Sequence, residues 1–185
     1  MPTEKEKMLA GEIYYAPDGE LAAERIKAKD MTYDFNMLKP SKREERENLL
    51  RKILGKAGKN LWVESPFQCD YGYNIEVGDN FYANHNFLVL DPAKVTIGDN
   101  VFIGPNVGIY TACHPIDAKE RLTFNEWAEP VTIGNDVWIG GSVTILPGVT
   151  IGDNVVIGAG SVVAKDIPSN YVAVGNPCKP IKSLT

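Results

Sequence analysis

Side chains that bind metals or carry redox chemistry are scarce here: 185 residues hold only two histidines and three cysteines. Cys69, Cys113 and Cys178 are odd in number, far apart and without a CxxC pair, so neither a disulfide framework nor a zinc cluster is indicated. Long apolar runs are missing as well. No stretch of about 18 apolar residues occurs, and the charged start "MPTEKEKMLAGE" has no apolar h-region. No membrane span or secretory signal is therefore expected, and a reducing cytoplasm is the expected compartment. Basic clusters are lacking too: 19 Lys and Arg stand against 24 Asp and Glu, a net charge of −5. The run "KREER" at Lys42 to Arg46 carries its own acids and reads as a solvated helix face. Nucleic acid and anionic membrane are not expected partners of such a chain.

What is present suffices for a core. Hydrophobic residues make up 44%, an ordinary share for one globular domain of this length with a small appendage. The chain divides into two textures, residues 1–58 and residues 59–185. In the first, "ELAAERIKAKDMTYDFNML" places Leu21, Ile26, Met31, Phe35 and Leu38 at helical spacings, with Asp18 or a neighbour as its cap. After Pro40, Ser41 with Glu44 three residues on predicts a capping box for "RENLLRKIL", and Gly55 and Gly58 predict its end.

The second texture has a fixed period. Ile97, Ile103 and Ile109, then Ile133, Ile139, Ile145, Ile151, Ile157 and Val163, follow one another at six-residue steps within each set. Four residues after each stands a second small group, from Val101, Val107 and Cys113 to Val137, Val143, Val149, Val155, Ser161 and Ile167. Gly, Asp, Asn and Pro lie between them, as in "IGDNVF", "IGPNVG" and "IGNDVW". A hexad of one short β-branched strand and one turn fits a side of a triangular prism, and three such sides make a coil. Stacked coils then pair their backbones from turn to turn. The first residue of each hexad should point inward.

The count is irregular in three places. Val77, Ala83 and Val89 lead the Ile97 frame by two residues, which predicts a two-residue insertion in "DPAKVT". Extending this register back to Lys59 adds a degraded coil with Val63, Cys69 and Ile75, for about five coils in all. The largest irregularity follows Ile109. "PIDAKERLTFNEWAEP", residues 115–130, shows no hexads and should leave the prism as a loop before the phase resumes at Ile133. Loops on rigid scaffolds are favoured places for function, and His114 stands where this one begins.

The hexads, with "CDYGYNI" (Cys69 to Ile75), "NFYAN" (Asn80 to Asn84), "YTACHPID" (Tyr110 to Asp117), "PVTIGNDVWIGG" (Pro130 to Gly141) and "KDIP…GNP", resemble the hexapeptide-repeat acyltransferases. Within that family the chain resembles the maltose and galactoside O-acetyltransferases over nearly its whole length. The resemblance implies an all-β solenoid, a left-handed parallel β-helix with an N-terminal helical cap. It implies acetyl transfer from acetyl-CoA to a sugar hydroxyl, and homotrimers with sites between subunits. No metal is required, and two histidines cannot build the three-histidine zinc site of related carbonic anhydrases.

Carried over position by position, the resemblance implies that His114 is the catalytic base, a role that suits imidazole near neutral pH. Asn84 would touch substrate and help to place the histidine, and Tyr82, two residues earlier on a strand, faces the same side. Asp70 would contact the sugar. Asp91 lies near a second such acid, although "LDPAK" has one Asp where some relatives have two. Glu126 would orient His114 from the loop, or would be a solvated acid. The backbone N–H of Gly141 would meet the thioester oxygen. Trp138 would pack on the pantetheine arm or on a neighbouring subunit. Ala159, Ala164, Lys165, Lys179 and Lys182 match CoA-binding positions, with Ala164 in place of a threonine and lysines where arginines occur. His85 reads as surface or cleft packing. Cys113, in an inward slot, reads as core rather than as a nucleophile.

Two alternatives stay open at this level. The same scaffold and histidine can serve another acceptor, such as an antibiotic, a Nod-factor-like amino sugar or serine. A non-catalytic solenoid used as a binding platform would be expected to lack the histidine or the loop, and this chain has both.

Overall fold

In a computed structural model, which describes residues 1–184, the chain forms a three-walled parallel β-solenoid capped by N-terminal helices. The first wall stacks Lys56–Ala57, Ile75–Val77, Val95–Ile97, Val131–Ile133 and Thr150–Ile151. The second stacks Trp62–Val63, Tyr82–Ala83, Phe102–Ile103, Trp138–Ile139, Val156–Ile157 and Tyr171–Val174, with Lys179–Ser183 added antiparallel at its end. Phe67–Cys69, Phe87–Leu90, Gly108–Tyr110, Thr144–Ile145 and Val162–Val163 make the third. Five coils are complete. A sixth begins with the Ile167 bridge to Ile151 and the strand Tyr171–Val174, one partial turn more than the hexad count predicts.

The hexad residues behave as their spacing requires. Ile97, Ile103, Ile109, Ile133, Ile139, Ile145, Ile151, Ile157 and Val163 are all buried, and with Val101, Val107, Val137, Val143, Val149 and Val155 they form one continuous core. The turns between the first two walls are held by side-chain ladders. Asn60, Asn80, Asn100, Asp136, Asn154 and Asn170 all take positive φ, a conformation that Asn and Asp tolerate better than other side chains. Each Asn amide donates to the next residue up the stack: Asn60 to Asn80, Asn80 to Asn100, Asn100 to Asp136 and Asn154 to Asn170, at 2.7–2.8 Å.

Three helices close the N-terminal end. In α1 (Glu4–Leu9), Thr3 and Glu6 form a reciprocal capping box. Asp18 caps α2 (Gly19–Met37) through the N–H groups of Glu20 and Leu21. That helix buries Leu21, Ala28, Thr32 and Phe35, while Ile26 faces solvent, against the expected stripe. The neighbouring α3 (Arg43–Ile53) begins after Lys42 with no side-chain cap, so the predicted Ser41 box does not form. Phe35, Leu50, Ile53 and Leu54 join the solenoid core, and Arg46 is buried between cap and solenoid. Its guanidinium donates to the carbonyls of Leu38 and Val63 and to the Ser65 hydroxyl. Gly55 follows α3 where a Cβ would meet the Tyr73 carbonyl at 2.0 Å, so only glycine fits there.

Candidate active site

The insertion in "DPAKVT", the long loop and a bulge in the degraded coil all fall at one corner, between the third and first walls, in three successive coils. The chain bulges at Asp70–Asn74, again at Asp91–Lys94, and then leaves altogether for the long loop. Buried polar groups tie these departures to one another. The Asp91 carboxylate accepts the N–H groups of Asp70 (3.0 Å), Tyr71 (2.9 Å) and Gly72 (2.7 Å). One coil on, the Thr111 hydroxyl accepts from Ala93 N–H and donates to the Leu90 carbonyl.

Two sequence expectations are corrected here. Asp91 is wholly buried with its oxygens committed to backbone, so it cannot reach a substrate and instead shapes the turn that carries Asp70. Burial pushes its carboxyl up to about 6, against the opposing pull of the N–H bonds. Cys113 is half-buried outside the prism rather than core. The chain exits at Thr111, and Ala112–Cys113 already belongs to a separate small sheet with Asn125–Ala128 and Tyr14–Tyr15.

That small sheet places His114. Its strand Ala112–Cys113 pairs with Ala128 and Trp127, which sets His114 near Glu126, and Glu126 pairs in turn with Tyr14. His114 Nδ1 lies 3.5 Å from Glu126 Oε2, at ion-pair distance. The other carboxylate oxygen, Glu126 Oε1, accepts the Tyr14 hydroxyl. Asp70 stands half-buried close by. Burial raises its carboxyl above the ordinary value, Lys29 and Arg25 pull the other way, and Glu126 adds to the rise. Asp70 also lines a groove of about 450 Å³ between α2 and the third wall, together with Lys29, Tyr33, Gln68 and Leu90. Arg25 is anchored beside it, donating to the Tyr71 hydroxyl and the Ala16 carbonyl.

The other predicted residues gather at a different corner, between the second and third walls. Asn84, Gly104, Gly140 and Gly158 occupy equivalent positions in successive coils, and their N–H groups donate one coil on to the carbonyls of Ile103, Ile139, Ile157 and Ala173 at 2.8–2.9 Å. The three glycines make a trench. A Cβ at Gly104 would lie 2.6 Å from Gly141 N, and one at Gly140 would lie 2.6 Å from Ala159 N. Among the described residues neither of these N–H groups has a backbone acceptor, so both remain free on the trench floor. Tyr82, Phe102 and Trp138 stand in a row alongside, the latter two more than half exposed, and the cavity so formed measures about 750 Å³. Asn84 Oδ1 accepts the His85 N–H, and the exposed His85 ring contacts the Ser65 carbonyl at 2.5 Å.

Lys179 and Lys182 lie exposed on the antiparallel strand at the C-terminal end of this same wall, paired with Val174 and Val172. Ala164 and Lys165 do not join them. Both are exposed after the third wall, at the corner from which the loop departs lower in the stack. Within one chain the histidine half and the trench half are therefore separated by a prism face. The strand that makes this face, Phe87–Leu90, is four residues long and spans roughly 10–13 Å. Tyr14, Arg25 and Lys29 were not legible as site residues. None of them stands in a periodic register, and only the fold brings them to Asp70 and Glu126.

A hexad solenoid with a glycine trench at one corner and a histidine loop at the next defines the class of hexapeptide-repeat acetyltransferases. Family models agree: the maltose acetyltransferase hexapeptide capping motif matches residues 7–58, the hexapeptide repeat of succinyl-transferase residues 94–116, and the six-repeat bacterial transferase hexapeptide residues 130–165. Galactoside O-acetyltransferase of Escherichia coli K12 is 47% identical over 179 residues, covering 97% of this chain and 88% of its own. A crystal structure of a maltose O-acetyltransferase from Clostridium difficile 630 superposes with a TM-score of 0.98 at 57% identity, over 100% of this chain and 98% of that one. A galactoside acetyltransferase in complex with coenzyme A superposes at 0.95 with 46% identity, over 100% and 92%. A Vibrio cholerae hexapeptide-repeat acetyltransferase complexed with acetyl coenzyme A does so at 0.91 with 38% identity, over 100% of both chains. The chain belongs to the maltose and galactoside O-acetyltransferase group of this family, and is an acetyltransferase.

Proposed function

We propose that this protein transfers acetyl from acetyl-CoA to a sugar hydroxyl, and that neighbouring copies in a homotrimer bring the two halves of its site together. The observation that carries the reading is the division itself. The histidine half and the glycine trench lie a prism face apart in one chain, and each presents reactive or binding groups that its own chain leaves unused. Apposition of the loop corner of one copy to the second wall of the next closes a cleft with both halves inside.

In that cleft the pantetheine arm lies along the trench beside Trp138, near the N–H of Ala159, and the phosphates reach Lys179 and Lys182. Lys165 and Ala164, at the other corner, meet the cofactor from the neighbouring copy. Asp70 accepts hydrogen bonds from sugar hydroxyls. Glu126 holds His114 Nδ1–H, so Nε2 is free to take the proton of the attacking hydroxyl. The sugar oxygen bonds to the thioester carbon, and the carbonyl oxygen gathers charge against Gly141 N–H, with Asn84 and Tyr82 at the trench mouth. The C–S bond then breaks, and the departing sulfur takes its proton from the His114 imidazolium. A thioester is already activated, so this scheme needs no covalent enzyme intermediate.

The test is release of CoA thiol from acetyl-CoA with maltose, glucose, a galactoside, glucosamine, serine and chloramphenicol as acceptors. Turnover on the sugars is expected, and His114→Ala should be at least about a hundredfold slower while still folded. A fully active His114→Ala protein overturns the base. Turnover confined to serine or chloramphenicol overturns the acceptor class. Sedimentation equilibrium reads the trimer, and a fully active monomer would overturn the shared site.

A further inference from the structure

The loop carboxylate that faces His114 has a second partner from a distant part of the chain. Tyr14 belongs to the two-residue strand that precedes α2, and it pairs antiparallel with the loop strand so that Tyr14 lies directly opposite Glu126. The Tyr14 ring is 1% exposed, packed with Met8, Leu21 and Tyr71. Its hydroxyl donates to Glu126 Oε1, while Glu126 Oε2 faces His114 Nδ1 at 3.5 Å. The Glu126 side chain is only 14% exposed, whereas that of His114 is 56% exposed. The relay thus runs from a fixed, buried donor through a mostly buried carboxylate to an open imidazole.

We infer that Tyr14 is a positioning residue for the acetyl-transfer reaction, locking Glu126 in the rotamer that holds His114 as its Nδ1–H tautomer. The inference rests on the reading of His114 as the base. A carboxylate has two oxygens and free rotation about its side-chain bonds. A single hydrogen bond from a buried phenol fixes one oxygen, and the geometry of the carboxylate then fixes where the other lies. Burial raises the phenol above its ordinary value, and Glu126 raises it further, so Tyr14 keeps its proton and stays a donor. The Nδ1–H of the imidazole then has one acceptor in a defined place, which leaves the Nε2 lone pair for the acceptor hydroxyl. The N-terminal cap thereby serves chemistry as well as closing the solenoid: three groups 112 residues apart in sequence at the extremes share one proton-handling line.

Histidine ¹⁵N spectra of the full-length protein test this without any acceptor. Only His85 and His114 occur, and His114→Ala assigns the signals. Above the titration of the imidazole, wild-type His114 is expected as the Nδ1–H tautomer. Tyr14→Phe should shift it towards Nε2–H, the form that free imidazole side chains favour, and Glu126→Gln should do the same. A wild-type His114 already in the Nε2–H form overturns the inference even if Tyr14→Phe proves unable to fold. So does a folded Tyr14→Phe protein whose His114 tautomer is unchanged.

The kinetic arm uses acetyl-CoA with maltose. Tyr14→Phe should lower kcat roughly tenfold, with the KM for acetyl-CoA within about twofold of wild type, because only orientation is lost. The double variant Tyr14→Phe/Glu126→Gln should be no slower than Glu126→Gln alone, since the tyrosine acts through the glutamate. Additive losses overturn the relay. If His114→Ala keeps its turnover, the base reading fails by itself, and the tautomer spectra still decide whether Tyr14 sets the imidazole.

Discussion

Alanine substitutions along the trench separate the packing of the coils from the binding of the cofactor. At Gly140 a Cβ would lie 2.6 Å from Ala159 N, 2.9 Å from its Cα and 3.0 Å from the Ile157 carbonyl, all of them backbone of the next coil. The first of these is about 0.8 Å short of ordinary contact, and the same two coils are held at 2.8 Å by the bond from Gly140 N to Ile157 O. Relief requires moving one coil against its neighbour, an overpacking that costs about 1–3 kcal/mol. For a chain of this size that lowers Tm by roughly 3–10 °C. At Gly158 the nearest atom is instead Val174 Cγ1, the end of a side chain that can turn away, and backbone begins only at 3.7 Å. Gly158→Ala should therefore melt within roughly 3 °C of wild type. Both variants put a methyl on the trench floor, and each should raise the KM for acetyl-CoA about 5–10-fold, equivalent to roughly 1 kcal/mol of lost approach. Gly19→Ala, at the first position of α2 with nothing within 4 Å, is the control and should leave KM unchanged. Thermal melts and thiol-release kinetics read all three. A Gly158→Ala protein with wild-type KM would refute the trench as the cofactor's path, and a Gly140→Ala protein with wild-type Tm would refute the packing argument.

Two further predictions concern buried or stacked carboxylates. Asp91, raised from near 3.9 when unfolded to about 6 in the folded protein, binds its proton more tightly in the folded state. Its contribution is therefore fully present below about pH 4 and is lost as pH rises through 6, a fall of about 3 kcal/mol. Urea midpoints of wild type minus Asp91→Asn should decline across that window, and a difference that grows with pH would show that the three N–H bonds outweigh burial. Asp136 interrupts the asparagine ladder, since its carboxylate accepts from Asn100 and has no amide to offer Asn154. Asp136→Asn completes the ladder at a positive-φ position and should raise Tm by about 2–4 °C. An unchanged or lower Tm would count against the ladder as a stabilising element.

The walls and core of this fold were legible because each coil repeats one constraint. A residue such as Ile139 must be apolar and slim in every coil, and the period reports that requirement directly. His114 stood out as a candidate through its contrast with the period, at the point where the hexads stop, and through the "HPID" that follows. Glycine at 104, 140 and 158 was visible only as turn composition, although a Cβ at 104 or 140 would strike the backbone of the next coil and one at 158 the Val174 side chain. Asp91 misled because the family resemblance puts a sugar-contacting acid near it, while three backbone N–H groups from the coil below had already claimed it. Cys113 misled for the opposite reason: its phase was right, but the chain had left the prism two residues earlier. Tyr14 carried no signal at all, since its strand is two residues long and its partner is 112 residues away.

That the three departures fall at the same corner follows from how a solenoid bears insertions. Every wall residue is paired above and below, so an extra residue within a wall would break two ladders at once. A corner can bulge, but a bulge leaves backbone N–H groups facing the next coil, which needs something there to receive them. The bulge at Asp70–Asn74 is received by the Asp91 carboxylate of the next bulge, and that bulge is received in turn by Thr111 as the chain departs for the loop. Each departure is thus made stable by the one above it, and the last is long enough to return as a strand against Tyr14. The corner from Asp70 to His114 is in this sense a single stacked structure. Disturbing its buried middle at Asp91 should move both ends together, even though Asp91 faces neither substrate nor solvent.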